Sequence, residues 1–185
     1  SDELPIINGG SLDDHPTQVL ADLYTLQREL KRIDNINLAV IGRLEHRNVS
    51  ALLLGLALFQ NIRVTLMPFS GGASPDVIRY CEDKGVVFSQ VDPYDPAPLP
   101  GMDAIYLNGP RTLAHAQLLG SRGGNSFRID EDLIARLKPN CIILDPMQRS
   151  GDFDISVHDS RLASYRQAEN ALIVRMALLI QILGK

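Results

Sequence analysis

Five short runs, almost continuously apolar and rich in β-branched residues, restrict what this chain can fold into more than any other feature of it. They are Leu38 to Ile41, Val64 to Met67, Val86 to Val91, Ala104 to Leu107 and Cys141 to Leu144. A strand with one wet face alternates apolar and polar residues, whereas a strand covered on both faces reads as an unbroken apolar run. Helical patterns fill the intervals at Asn48 to Phe59, Pro75 to Lys84 and Asp130 to Leu137. Ser74 with Pro75 and Asp76 marks one helix start, and Gly85 after Lys84 marks its stop. Strand and helix in alternation predict an α/β fold, a doubly wound, Rossmann-like parallel sheet of about five strands flanked by helices. Ligands of such a sheet bind at the carboxyl ends of its strands. With 185 residues, 45% of them hydrophobic, the chain is expected to form one domain over residues 1–185.

Composition then removes several classes of function. A formal charge of −4 supplies no basic field of the kind that phosphate-backbone binding needs, so nucleic acid is not an expected partner. The longest apolar stretch, Ala171 to Leu183, is interrupted by Arg175 and Gln181 and is too short to span a bilayer. No charged-then-apolar leader opens the sequence, and the expectation is a cytoplasmic protein without a membrane partner. Cys81 and Cys141 stand far apart in apolar surroundings, which predicts buried, reduced thiols. No phosphate-cradling glycine pattern follows a strand, and no cofactor is expected. Gly9-Gly10, Gly71-Gly72 and Gly123-Gly124 read as turn glycines. Asp13, Asp14, Asp152, Asp154 and Asp159 show no metal-ligand spacing and read as caps and turn residues. The proline-rich stretch from Asp92 to Pro100 reads as a rigid extended spacer, and Ser121 to Ser126 as a flexible loop.

Candidate chemistry gathers near the amino end. His15-Pro16-Thr17-Gln18 opens a helix that the spacing places from Thr17 to Lys31, with Val19, Leu20, Leu23, Leu26, Gln27 and Leu30 as its expected buried stripe. Proline suits the first helical position, and Asp14 or His15 can cap it. The free N–H groups there favour an anion or a polarised oxygen. A capping histidine beside a proline turn explains the same residues equally well. Gly42 to Asn48 lies between the first strand and its helix, where an arginine can reach a ligand at the sheet edge and pair with a carboxylate. A solvated basic loop is the alternative there.

Taken together, several spaced segments resemble the aspartate carbamoyltransferase family. Asn8 to Arg32 is similar to the part where His-Pro-Thr-Gln opens a helix joining two domains. Asn37 to Phe59 is similar to the first strand and loop of the amino-acid-binding domain. Asp103 to Leu107 is similar to the strand before a substrate loop, and Tyr165 to Leu183 to the final helix that crosses back. The resemblance implies that residues 15–31 and 166–183 are interdomain-type helices. It implies that His15 polarises a carbamoyl oxygen, that Gln18 holds the carbamoyl nitrogen and that Arg47 binds the amino acid, with Arg43 and His46 as neighbours. Arg175 matches a family arginine near the cleft.

Two loops depart from the family. Where it presents Thr-Arg-x-Gln, the arginine position falls on Gly109 and the glutamine position on Arg111, which is left to compensate as a substrate-binding residue. Where a Leu-Pro pair usually stands, this chain has Met147-Gln148, followed by a retained Arg149; all three are expected at the substrate. The family's carbamoyl phosphate half, with its Ser-Thr-Arg-Thr loop, has no counterpart in this sequence. The implied reading is the amino-acid-binding half of a transferase of pyrimidine biosynthesis, inactive alone. Its implied partners are an amino acid such as aspartate and either a carbamoyl-phosphate-binding domain or a second copy of the chain. A catalytically silent binding or scaffolding relative, and an unrelated small-molecule module, are the other readings the residues allow.

Overall fold

All five apolar runs pair as one parallel sheet in the computed structural model, which describes residues 5–109, 127–146, 153–155 and 157–184. The strands are β1 (Asn37–Arg43), β2 (Arg63–Ser70), β3 (Val87–Gln90), β4 (Ala104–Asn108) and β6 (Ile142–Leu144), in the spatial order β3-β2-β1-β4-β6. Chain order runs one way from β1 through β2 to β3 and the other way from β1 through β4 to β6. The reversal lies between β1 and β4, and a doubly wound sheet opens a crevice at the carboxyl ends of the two strands that flank such a point.

Alternate side chains of each strand enter opposite layers, as the two-residue period of a strand requires. Leu38, Val40, Val64, Leu66, Tyr106 and Leu144 share one core with residues of α1 (Pro16–Leu30) and α2 (Arg47–Leu56). Ala39, Ile41, Met67, Ile105, Leu107 and Ile143 share the other with Leu133 and Ile134 of α4 (Glu131–Arg136). Cys81, in α3 (Pro75–Asp83), and Cys141 are both buried and free of disulfide. Gly55 lets α2 lie close against α1, since a Cβ there would stand 2.4 Å from Val19 Cγ2.

Three details differ from the sequence reading. The buried face of α1 is Thr17, Ala21, Asp22, Leu23, Thr25 and Leu26, while Leu20 and Gln27 are exposed. The cause is α5 (Ser164–Leu183), which packs along α1 through polar groups, so the helix buries a polar stripe beside its apolar one. Residues 92–100 are not an extended spacer: Asp92 and Asp95 accept the N–H groups of Tyr94 and Ala97, and the stretch closes in a short 3-10 turn with Leu99 fully buried. Side-chain acceptors two residues back favour turns over extension. Lastly, β5 (Phe127–Ile129) and β7 (Phe153–Ile155) pair in a small parallel sheet of their own. No helix among the described residues is long and apolar enough to cross a membrane.

Candidate functional site

Residues 8–15 fold into a cradle for one imidazole. Asn8 Oδ1 accepts the Gly10 N–H at 2.9 Å, the Ser11 N–H donates to the Asp14 carbonyl at 2.8 Å, and Asp14 Oδ1 accepts the His15 N–H at 2.7 Å. His15 is therefore the N-cap residue of α1 by position, but its side chain makes no capping bond. Gly10, read above as a turn glycine, has a second role. With φ +134 it lies against the ring, and a Cβ there would stand 3.1 Å from the imidazole. The imidazole is held below its ordinary pKa, first by burial and then by the positive charges of Arg47 and Arg175, with Asp14 opposing weakly. A neutral imidazole results, able to donate one N–H to a polarised oxygen without bringing a full charge.

Arg47 opens α2 directly after the loop that leaves β1. His46 caps this helix by accepting the Asn48 N–H on Nδ1 at 3.3 Å, and Arg43 pairs with Glu45 at 3.0 Å, so both neighbours of Arg47 have local structural work. The Arg47 guanidinium donates to the Ser11 carbonyl, which ties the His15 cradle to α2. Beyond it lies a cleft of ≈ 360 Å³ lined by Leu12, Asp14, Glu45 and Arg47 among others. On the far side of the loop, Asn108 at the end of β4 donates to the Arg43 carbonyl at 2.7 Å.

Four buried side-chain atoms among the described residues have no hydrogen-bond partner: His15 Nδ1, Arg47 Nε, Asn48 Oδ1 and Asn108 Oδ1. All four belong to residues around the β1–β4 crevice. Burying a polar atom without a partner costs about 1–3 kcal/mol, and a folded chain rarely tolerates several together unless something else satisfies them. This concentration of unpaired donors and acceptors marks the crevice edge as the candidate site. Arg111, Met147, Gln148 and Arg149 lie outside the described residues, as does the 121–126 loop.

A second polar group escaped the sequence reading. Asp22 is fully buried nearly two turns into α1, and its carboxylate takes three donors: Gln18 Nε2 at 2.8 Å, Gln167 Nε2 at 2.7 Å and the Tyr106 hydroxyl at 3.0 Å. Gln167 Oε1 in turn accepts the Asp145 N–H at 2.9 Å, where the chain leaves β6. Burial pushes the Asp22 carboxyl up to about 6 against the three bonds and Arg175, which pull it down. The available signal was an aspartate at a mid-helix position four residues after Gln18, where a solvent-facing side chain is the ordinary expectation.

No family model matches the chain. Among curated proteins it is 34% identical over 199 residues to the aspartate carbamoyltransferase catalytic subunit of Cellvibrio japonicus, with 97% of this chain and 57% of that protein covered. Among solved structures it resembles the catalytic subunit of M. Jannaschii aspartate transcarbamoylase, with TM-score 0.83, 26% identity, and 98% of this chain and 60% of that one covered. It also resembles aspartate transcarbamoylase from Trypanosoma cruzi in complex with carbamoyl phosphate and aspartate, with TM-score 0.78, 28% identity, and 91% and 55% covered. The chain thus spans well under two thirds of the proteins it matches. The five-stranded α/β fold agrees with these neighbours, and nearly the whole of this chain is homologous to one portion of the aspartate carbamoyltransferase family.

Proposed function

We propose that this chain is the amino-acid-binding half of an aspartate carbamoyltransferase-like enzyme, with its substrates meeting at the β1–β4 crevice. The observation that carries the reading is the cluster of unpaired buried polar atoms on His15, Arg47, Asn48 and Asn108 at one sheet edge. The relatives' names and the Trypanosoma cruzi complex with carbamoyl phosphate and aspartate support the substrate classes.

In carbamoyl transfer the aspartate amine attacks the carbamoyl carbon, a C–N bond forms, the C–O bond to phosphate breaks, and phosphate departs with the proton that the amine gives up. Negative charge develops on the carbamoyl oxygen in between, and a preorganised donor there lowers the barrier. The neutral His15 imidazole is that donor. Gln18 holds the carbamoyl nitrogen, and Arg47 pairs with a carboxylate of aspartate. Arg111, Met147, Gln148 and Arg149 complete the amino-acid side of the site. Residues 15–31 and 166–183 act as the helices that carry the remainder of the enzyme, which supplies the phosphate-binding groups.

Titrating aspartate into the 15N-labelled chain tests this reading. Signals of His15, Arg47 and Asn108 should move with a dissociation constant in the millimolar range, about 4 kcal/mol of binding. Arg47→Ala should weaken binding by about tenfold or more, the loss of one charge-assisted bond. Shifts absent at tens of millimolar aspartate, or reproduced by chloride at matched ionic strength, would overturn the proposal.

A further inference from the structure

Asp22 touches no substrate in the reading above, yet it joins three elements that frame the site. Its two oxygens receive Gln18 from the same helix, Gln167 from α5 and Tyr106 from β4, all with donor hydrogens. A carboxylate only accepts, so each amide facing it must present its NH2 group. For Gln167 this leaves the carbonyl free for the Asp145 N–H, and that bond is made. For Gln18, half-buried at the first turn of α1, it leaves Oε1 with no donor among the described residues.

We propose that Asp22 is a positioning residue that locks the Gln18 amide with its NH2 turned inward and its carbonyl offered to an N–H of the ligand, while Gln167 ties the chain leaving β6 to the same carboxylate. The ligand half of this statement rests on the function proposed above; the orientation of Gln18 does not. An unfixed glutamine presents either end of its amide and binds a carbonyl or a methyl-bearing analogue nearly as well as an NH2 group. A locked one rejects a ligand that lacks the donor, because the acceptor is cut off from water once the ligand is seated and then stays unpaired. Arg175, the charge that acts on both His15 and Asp22, helps to keep the carboxylate ionised and therefore accepting.

The closing experiment has a ligand-free arm and a ligand arm. In the ligand-free arm, solvent exchange of the Gln18 side-chain NH2 is compared with that of Gln27, which is exposed on the same helix. Exchange at Gln18 should be slower by about tenfold or more, the weight of one hydrogen bond to a charged group. Asp22→Asn puts an NH2 group among three donors, so the Gln18 signals should shift and their exchange should quicken. Equal exchange at Gln18 and Gln27 in the unmodified chain overturns the inference, and that result stands even if the variant does not fold.

In the ligand arm, N-carbamoyl-L-aspartate is compared with N-acetyl-L-aspartate, which carries a methyl where the other carries NH2. The unmodified chain should prefer the carbamoyl compound by about tenfold, and Asp22→Asn should reduce the preference to near one. Equal binding of the two by the unmodified chain overturns the ligand half. If neither compound moves the His15 and Gln18 signals, the proposed function fails, while the exchange result alone still decides how Gln18 is held.

Discussion

Gly42→Ala puts the geometry of the crevice to a quantitative test. Gly42 lies near the carboxyl end of β1, paired with Asn108 of β4 and next to the register shift at Gly42/Arg43. Its φ is +118, and an added Cβ would stand 2.2 Å from the Asn108 carbonyl oxygen and 2.9 Å from its carbon. Relief requires the two central strands to part by about 1 Å, because the obstacle is backbone and cannot rotate away. Strain at a glycine-only backbone angle costs about 1–3 kcal/mol, and overpacking against a fixed neighbour adds about 1–3 kcal/mol. The sum, about 2–6 kcal/mol, is a large share of the roughly 5–15 kcal/mol that holds a domain together. At about 2–4 °C per kcal/mol for a chain of this size, melting should fall by about 4–24 °C. Gly85→Ala is the control, since Gly85 also has positive φ, +91, but nothing within 4 Å of a Cβ. It should lose only the backbone term, about 1–3 kcal/mol. Urea unfolding of both variants by circular dichroism gives the comparison. If Gly42→Ala costs no more than Gly85→Ala, the close approach of β1 and β4 is not as described and the argument fails.

Four further outcomes follow from the same contacts. Asp22 has a folded pKa raised to about 6 against an ordinary value of 3.8, so between those pH values the native state holds a proton that the unfolded chain has released. Its contribution is fully present below the lower value and is lost as pH rises through about 6; the unmodified chain should lose stability across that window relative to Asp22→Asn, by about 2–3 kcal/mol in urea titrations at the two ends. The His15 imidazole should titrate below its ordinary 6.5 by proton NMR and move part of the way back in Arg47→Ala, with burial and the charge of Arg175 accounting for the remainder. Arg166→Ala removes a two-point pair to Glu29, at 2.8 and 3.0 Å, and a bond to the Ser160 carbonyl; with 40% of the arginine side chain exposed, its measured cost should be about 1 kcal/mol. The outer face of α5 carries exposed Leu172, Ile173, Met176, Leu179 and Ile180, so the isolated chain should self-associate at micromolar concentration in sedimentation runs, and a strict monomer would count against the apolar face as a docking face.

What the sequence disclosed depended on whether the relevant force acts along the chain or across it. The strands were legible because burial on both faces makes a run apolar at every position, a signal contained within four or five residues. The start of α1 was legible for a similar reason: Pro16 can open a helix from the residue alone, and the structure places it at the first turn. The buried stripe of α1 was not. Leu20 and Gln27 fitted the helical period, but the face that turns inward was decided by α5, which is remote in sequence, and by what its Gln167 and Asn170 require. The Asp92 to Pro100 stretch failed differently. Prolines suggested extension, while the aspartates two residues before Tyr94 and Ala97 supplied acceptors that turn the chain. Of the site residues, His15 and Arg47 do come within electrostatic reach of each other, and Gln18 faces Asp22.

The α1–α5 seam explains why a helix would spend buried surface on polar residues. Asp22, Thr25 and Glu29 recur along one face of α1 at steps of three and four, and each meets a polar partner on α5: Gln167, Asn170 and Arg166. Arg28 adds a second bond to Asn170 at 2.8 Å. Leucines at these positions would bury more apolar area and permit α5 to slide or rotate on α1, since apolar contact is non-directional. Hydrogen bonds of fixed length permit one register, and a polar position inside an apolar interface is the best-attested way to specify register. That register matters at one end only. Gln18 and Gln167 meet on the same carboxylate, Gln18 is one turn from the His15 cradle, and Gln167 holds the Asp145 N–H where the chain leaves β6. A slip of α5 by one residue would turn Gln167 away from Asp22 and release both the Gln18 amide and the Asp145 backbone. The polar seam therefore transmits the position of the last helix to the two sides of the candidate site, a role that an apolar seam of equal area could not perform.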